Sequence, residues 1–194
     1  MSLPLRDTSR HTYGEYLNWT ENQREELIDG IAYVKEPPAP ARIHQSFVRE
    51  MLGQLHAALK DRSWCIQVAP FDVRLPKSNE ADEDVDTVVQ PDLLIVRDRD
   101  KLDDRGMRGA PDWLVEVLSP RTTVHDRAVK VPVYERAGVG EVWLIQPTDL
   151  TLTMYVLDGG RYGQPRVREL KGQTSLATMP ELQVDWDQLL PLVV

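Results

Sequence analysis

The sequence predicts a mixed α/β domain: a central mixed sheet flanked by helices and entered through an N-terminal β-hairpin. Three observations carry this. Two short runs, "TVVQPDLLIV" and "WLVEVLSP", are apolar on both faces, as strands covered on both sides are. A helical segment lies between "WLVEVLS" and "EVWLI", which fits a crossover joining parallel strands. An upstream stretch, "RIHQSFVREMLGQLHAALK", has the apolar spacing of a helix that covers a sheet.

The elements follow in order. "TYGEYLNW" reads as a short entry helix. "EELIDGIAYV" alternates around Asp29-Gly30, a hairpin signal. The prolines of "EPPAPA" stop the second strand. Over residues 42–60, Ile43, Phe47, Met51, Leu55 and Leu59 recur every four residues and predict an amphipathic helix. "WCIQVAPFDVRL" and "TVVQPDLLIV" read as one strand each, separated by the acidic loop "KSNEADEDVD". A polar loop at 98–109 leads to the strand "WLVEVLSP". Thr123 and Asp126 have the spacing of a capping box opening a second helix that ends near Gly138. "EVWLI" and "LTLTMYVL" are strands, with a turn at Asp158-Gly159-Gly160 and a return strand near 161–170. "LLPLVV" is expected at a sheet edge or a dimer contact.

No repeat or long linker divides the chain, so residues 1–194 are expected to form one domain. Apolar residues make up 41% and charged residues 28%, ordinary for a globular protein. No apolar run is long enough for a membrane span, and the first ten residues lack the pattern of a signal peptide. Cys65 is the single cysteine, which excludes an internal disulfide and a cysteine-based zinc site. These features point to a cytoplasmic protein. The net charge of −8 argues against a general nucleic-acid coat, but leaves room for a local site.

Glu116 sits in the middle of one buried run and Asp92 interrupts the other. An isolated buried charge costs several kcal/mol or more, roughly, so each acid needs a partner. If the two strands are neighbours, Asp92 and Glu116 can meet. Two carboxylates together repel unless a cation lies between them. Mg2+ would serve, since it takes hard oxygen ligands and keeps several waters, and the Val117 carbonyl could add a ligand. The spacing leaves a second reading equally open, in which each acid pairs with an arginine. Asp112 is too far along its strand from Glu116, at ~13 Å, to share an ion with it.

Other sites find little support. Asp82, Asp84 and Asp86 start like a calcium loop, but Thr87 and Leu93 stand where glycine and glutamate are needed. The histidines lack zinc spacing. There is no P-loop, Rossmann glycine pattern or serine-hydrolase elbow.

Taken together, "QPDLLIV", "GAPDWLVEVLSPRT" and "DRAVKVPVYERAGVGEVWLI", with "EELIDG" and "IHQSFVREMLGQL" upstream, resemble the endonuclease branch of the PD-(D/E)XK restriction-endonuclease-like superfamily. The resemblance covers roughly residues 12–157. It implies a restriction-endonuclease-like mixed sheet and Mg2+-dependent cleavage of phosphodiester bonds, with Mn2+ as a substitute. Asp92 matches the motif's aspartate and Glu116 its second acid. The position two after Glu116 holds Leu118, and the lysine is expected from the next helix as Lys130. Glu26 matches the acid of the early hairpin, and His44 the histidine of the first long helix. Asp92, Glu116 and Val117 would hold the metal, and a metal-activated water would attack phosphorus.

Rival readings stand beside these. Glu26 precedes a tight turn, where a solvated acid is common. His44 borders an apolar helix face, where a structural histidine is common. Lys130 could form a helix-surface ion pair with Asp126, four residues before it. In the catalytic reading, Lys130 acts mainly in the transition state and stability barely depends on it. Pro132, just beyond, is expected to kink the helix. The implied partner is nucleic acid, DNA in the first instance, and a homodimer would let the protein cut both strands. The rival function is a catalytically silent module of the same fold that binds nucleic acid or a protein partner. A two-carboxylate glycosidase is a more distant alternative, disfavoured by an aromatic content of 7%.

Overall fold

The structure, a computed structural model, describes residues 5–19, 24–35 and 41–193. It is a mixed α/β fold. Among the described residues, the strands form a six-stranded sheet, a seven-stranded sheet and a two-stranded ribbon, so the expected central sheet is divided in two.

The hairpin forms as its sequence dictates. β1 (Arg24–Ile28) and β2 (Ile31–Lys35) pair antiparallel around Asp29 and Gly30, at φ 51° and 79°. Both turn residues are left-handed, the geometry that matches strand twist in a two-residue hairpin. The Asp29 carboxylate is held there by Arg136 and Lys77. A short helix, α1 (Tyr13–Tyr16), precedes the hairpin. Most of "EPPAPA", residues 36–40, lies outside the described residues.

The two expected long strands are each broken. "WCIQVAPFDVRL" becomes β3 (Cys65–Val68) and β4 (Val73–Arg74), and "TVVQPDLLIV" becomes β5 (Val88–Val89) and β6 (Leu93–Val96). β3 pairs with β6 in the seven-stranded sheet, and β4 with β5 in the six-stranded sheet. The breaks contain Pro70 and Pro91, which have no N–H to give a ladder. They lie side by side, with Ala69 N–H donating to the Asp92 carbonyl at 3.1 Å. The pair of segments therefore turns a corner from one sheet into the other. Asp92 stands at that corner, so the alternation expected from Val88 through Asp92 to Val96 is interrupted at Pro91.

The 98–109 segment is more ordered than a polar loop. It holds a 3-10 turn, β7 (Leu102–Asp103) and β8 (Gly106–Arg108). Gly106 has φ 119°, and a Cβ there would lie 2.3 Å from the Asp72 carbonyl oxygen, so only glycine lets β8 approach.

The remaining seven-stranded sheet is built from β9 (Trp113–Val117), β10 (Glu141–Gln146), β11 (Thr151–Asp158), β12 (Arg161–Tyr162) and β13 (Arg166–Glu169). β9 and β10 are parallel, joined by the expected helical crossover. The ribbon of β14 (Gln173–Ser175) and β15 (Gln183–Asp185) follows. α2 (Arg42–Ala58) and α5 (Trp186–Val193) cover one face of this sheet, burying Phe47, Met51, Leu55 and Leu189 against Trp113, Val115, Trp143 and Ile145. "LLPLVV" thus belongs largely to a covering helix, with Leu189 and Val193 inside and Leu192 outside. The other face carries Leu94, Leu114, Val142 and Leu144, packed on Val73, Val89 and Met107 of the second sheet and on Tyr134. Each fully buried Leu, Val or Phe contributes about 1.5–3 kcal/mol by leaving water.

The crossover begins as α3 (Thr123–His125), widens into a π turn at Asp126–Lys130, and continues as α4 (Val131–Ala137) to Gly138. Pro132 cannot donate a backbone hydrogen bond, and the chain before it winds into the wide π turn. The capping box does not form. Thr123 is already helical, and its hydroxyl donates to the Ser119 carbonyl at 2.6 Å. Among the described residues, no helix is long and apolar enough to cross a membrane.

Candidate active site

The site lies where β9 ends, under the corner between the sheets. β6 runs antiparallel to β9 with Leu93 opposite Val115, so the next residue back, Asp92, stands beside the Glu116–Val117 end. Val117 N–H donates to Asp92 Oδ2 at 2.7 Å. α2 brings His44 to the same oxygen, with Nε2 at 3.0 Å.

Glu116 projects to the opposite side of β9 from Val117 and meets the π turn. Lys130 Nζ lies 2.6 Å from Glu116 Oε1 and 2.8 Å from Glu26 Oε1. Tyr134, one turn on, donates its hydroxyl to Glu116 Oε1 at 2.5 Å. Gln90, at the corner, gives its backbone N–H to Glu26 Oε1 at 2.9 Å. His125 Nε2 is 3.6 Å from Glu26 Oε2, and its ring packs on Tyr33 at 4.6 Å between centroids.

These groups are largely out of water. Lys130 and Glu26 are fully buried and Glu116 is 3% exposed, whereas the side chains of His44 and Asp92 are 15% and 16% exposed. The site therefore opens to solvent at the Asp92–His44 pair and closes inward at Lys130. Burial alone would lower the Lys130 pKa, but the charges of Glu116 and then Glu26 outweigh it and hold the ammonium well above the usual lysine range. Burial, and then the charge of Glu116, pushes the Tyr134 phenol far up, so it remains a donor.

All five side chains singled out in the sequence thus stand in one neighbourhood: Asp92 with His44, and Glu116 and Glu26 about Lys130. Glu26 is a buried partner of a lysine, not a solvated acid. Lys130 is not on the helix surface. Asp126 lies 3.9 Å from it and is itself buried. The cation beside Glu116 is therefore an ammonium from the next helix. Asp112, set aside from the sequence, pairs with Arg97 at 2.7 Å.

Sequence reasoning missed Tyr134, Gln90 and His125. Tyr134 had a signal, four residues beyond Lys130 on one helix face. Gln90 acts through its backbone and His125 through a fold-dependent contact, so neither has a signature in the sequence.

The oxygens at this strand end are of the hard type that divalent ions take. Asp92 and Glu116 supply carboxylate oxygens at one strand end, and the Val117 carbonyl is a third oxygen there. Among the described residues, no three His, Cys, Asp or Glu side chains group to hold a metal.

The family described as "Putative restriction endonuclease", Uma2, matches residues 13–190. This chain belongs to that family. Its fold is similar to that of a crystal structure described as a "putative nuclease belonging to DUF820" from Anabaena variabilis, with a TM-score of 0.72 and 19% sequence identity over 94% of this chain and 99% of that one. No curated protein matches the chain.

Proposed function

We propose that this Uma2-family chain is a metal-dependent nuclease that hydrolyses phosphodiester bonds of nucleic acid, DNA in the first instance, at the Asp92–Glu116 end of β9. Family membership supports the nuclease class. The single observation that carries the site assignment is Lys130, fully buried and bridging Glu26 and Glu116 beside the His44–Asp92 pair. Perturbed, desolvated ionisable groups with specific charge partners mark functional sites.

Asp92, Glu116 and the Val117 carbonyl would hold Mg2+ or Mn2+. Such an ion, when bound, supplies Lewis-acid stabilisation of phosphoryl charge and a more acidic water. Lys130 pairs with Glu116 and fixes its orientation, helped by the Tyr134 hydroxyl on the same oxygen. Glu26 anchors Lys130 from behind. His44 stands on the open side, where its Nε2 shares a proton position with Asp92 Oδ2 and can meet an incoming phosphate. The test is cleavage of DNA and RNA by the purified protein with Mg2+, Mn2+ or chelator, beside a folded Glu116→Gln variant. Metal-dependent cutting by the parent alone supports the assignment.

One observation favours a silent module of the same fold. Glu116 Oε1 already carries both Lys130 and Tyr134, which competes with a metal for that oxygen. Nucleic-acid binding without cleavage under any metal would select that reading.

A further inference from the structure

We infer that the β12–β13 segment is the docking surface for the phosphate backbone of the substrate nucleic acid. The inference rests on the proposal above that nucleic acid is the partner.

The sequence motivates it. "RYGQPRVRELK", residues 161–171, holds Arg161, Arg166, Arg168 and Lys171 against one acid, Glu169, in a chain whose net charge is −8. Several cations elsewhere are tied to acids: Arg74 to Asp82 and Asp103, Lys77 to Asp86, Arg97 to Asp112, Arg136 to Asp29. Arg166, Arg168 and Lys171 form no ion pair among the described residues, and Arg161 has only a long contact of 3.5 Å to Glu135.

The fold keeps these cations available. β13 pairs only with β11 and is an edge strand, and all four of its residues are exposed. Arg166 and Arg168 share a face by alternation, opposite Met154 and Leu152 of β11. Leu152 belongs to the face that α2 covers, and α2 is the helix that delivers His44 to the open side of the site.

The distances suit one bound nucleic acid. Val117 pairs with Ile145, Ile145 with Leu152 and Leu152 with Arg168, so Arg168 lies in the same row as the end of β9, three strands away. At strand spacing that is about 14 Å. One turn of duplex spans about 34 Å, so a single duplex can reach both places. Arginine is the better phosphate ligand, since its planar fork matches two oxygens. A charged edge strand also guards against strand-to-strand aggregation, and the experiment must separate the two roles.

The measurement is binding of a labelled duplex by anisotropy, in chelator so that nothing is cut, over a salt series. Arg166→Gln/Arg168→Gln is compared with Lys60→Gln/Arg99→Gln, an equal charge change at two other exposed positions, with melting curves for all. Each lost phosphate contact should reduce the salt slope by about one. The Arg166→Gln/Arg168→Gln variant should lose about two units of slope and roughly tenfold or more in affinity, while the control stays near the parent. With metal present, its cleavage should show a raised KM and a kcat close to the parent's. Arg166→Glu/Arg168→Glu should bind more weakly still. Equal binding and slope in the Arg166→Gln/Arg168→Gln variant, or equal losses in the control, overturn the inference, as does a variant that aggregates while its soluble fraction binds like the parent. Absence of binding by the parent also overturns it. A parent that cuts while the Arg166→Gln/Arg168→Gln variant is unchanged leaves the nuclease reading standing. A parent that binds through these arginines but never cuts removes the nuclease reading and keeps the docking surface.

Discussion

Two buried cations in this molecule each bridge two carboxylates, and they are built differently. Arg74 is 1% exposed, yet its partners Asp82 and Asp103 are 25% and 49% exposed. Lys130 is fully buried, and so is Glu26, with Glu116 at 4% by side chain. At Arg74, one long side chain crosses the core edge and its acids remain in water. At Lys130, three charges have left water together. Taking charges out of water costs several kcal/mol per ion, roughly, and their attraction repays it only with good geometry. A purely structural clamp has the cheaper arrangement of Arg74 open to it. The Lys130 cluster retains the costly one, beside Asp92 and His44, and that contrast argues for chemistry there.

The largest expected effect comes from emptying the buried cluster. Lys130→Met strands two carboxylates without their cation and should cost about 3–5 kcal/mol of stability, read in urea unfolding. Turnover should fall about a hundredfold or more at saturating substrate and metal. The sequence alone suggested a lysine on which stability barely depends; its full burial between two carboxylates leads to the opposite expectation. A stable Lys130→Met protein would erase the contrast between the two clusters.

Metal should act on one cluster only. At a concentration of about one hundred times its Kd, Mg2+ or Mn2+ should stabilise the parent by about 2.7 kcal/mol, seen as a raised Tm. Asp92→Ala should abolish the rise, and Arg74→Met should keep it. The same rise in Asp92→Ala would put the ion elsewhere.

Arg74→Met should be milder in itself. Its acids can regain water, so the loss should be about 2 kcal/mol, with kcat within a few fold of the parent. A hundredfold loss of kcat would make Arg74 part of the chemistry and remove the distinction drawn here.

The smallest effect is in pH dependence, and its sign differs between the clusters. Burial would raise the Asp103 carboxyl, but the Arg74 hydrogen bond and the Arg105 backbone outweigh it and hold it below the usual aspartate range. Its stabilisation is present above that range and is lost as pH falls through the depressed value. Lys130 is held above the usual lysine range, so its stabilisation is present below that range and is lost only as pH rises through the elevated value. Lys130→Met should flatten the alkaline limb of a stability-against-pH curve, and Arg74→Met the acid limb. Reversed limbs would contradict the ion-pair assignments.

Much of this was legible in the sequence because it is periodic. The unbroken apolar run of "WLVEVLSP" marks a strand buried on both faces, the four-residue spacing of α2 fixes its buried face, and a charged residue inside such a pattern marks itself. The corner was not legible. Pro70 and Pro91 each signal a break, but their alignment depends on the register of two segments about twenty residues apart. Gln90 and His125 gain their contacts only from that corner and from the π turn. Lys130 was legible through the family pattern, whereas its burial depends on how the helix widens ahead of Pro132.

If the buried Glu116–Lys130–Glu26 cluster, with Asp92, performs the cutting, the Glu116 carboxylate is indispensable to it. The direct measurement is cleavage of a labelled duplex by the parent and by Glu116→Gln, purified side by side, with Mg2+ and with chelator, and with melting curves to show that both are folded. Glutamine retains the shape and removes the charge that holds Lys130 and would hold the metal. The expected result is metal-dependent cutting by the parent and a loss of about a thousandfold or more in a folded Glu116→Gln protein. Equal cutting by the two would contradict it.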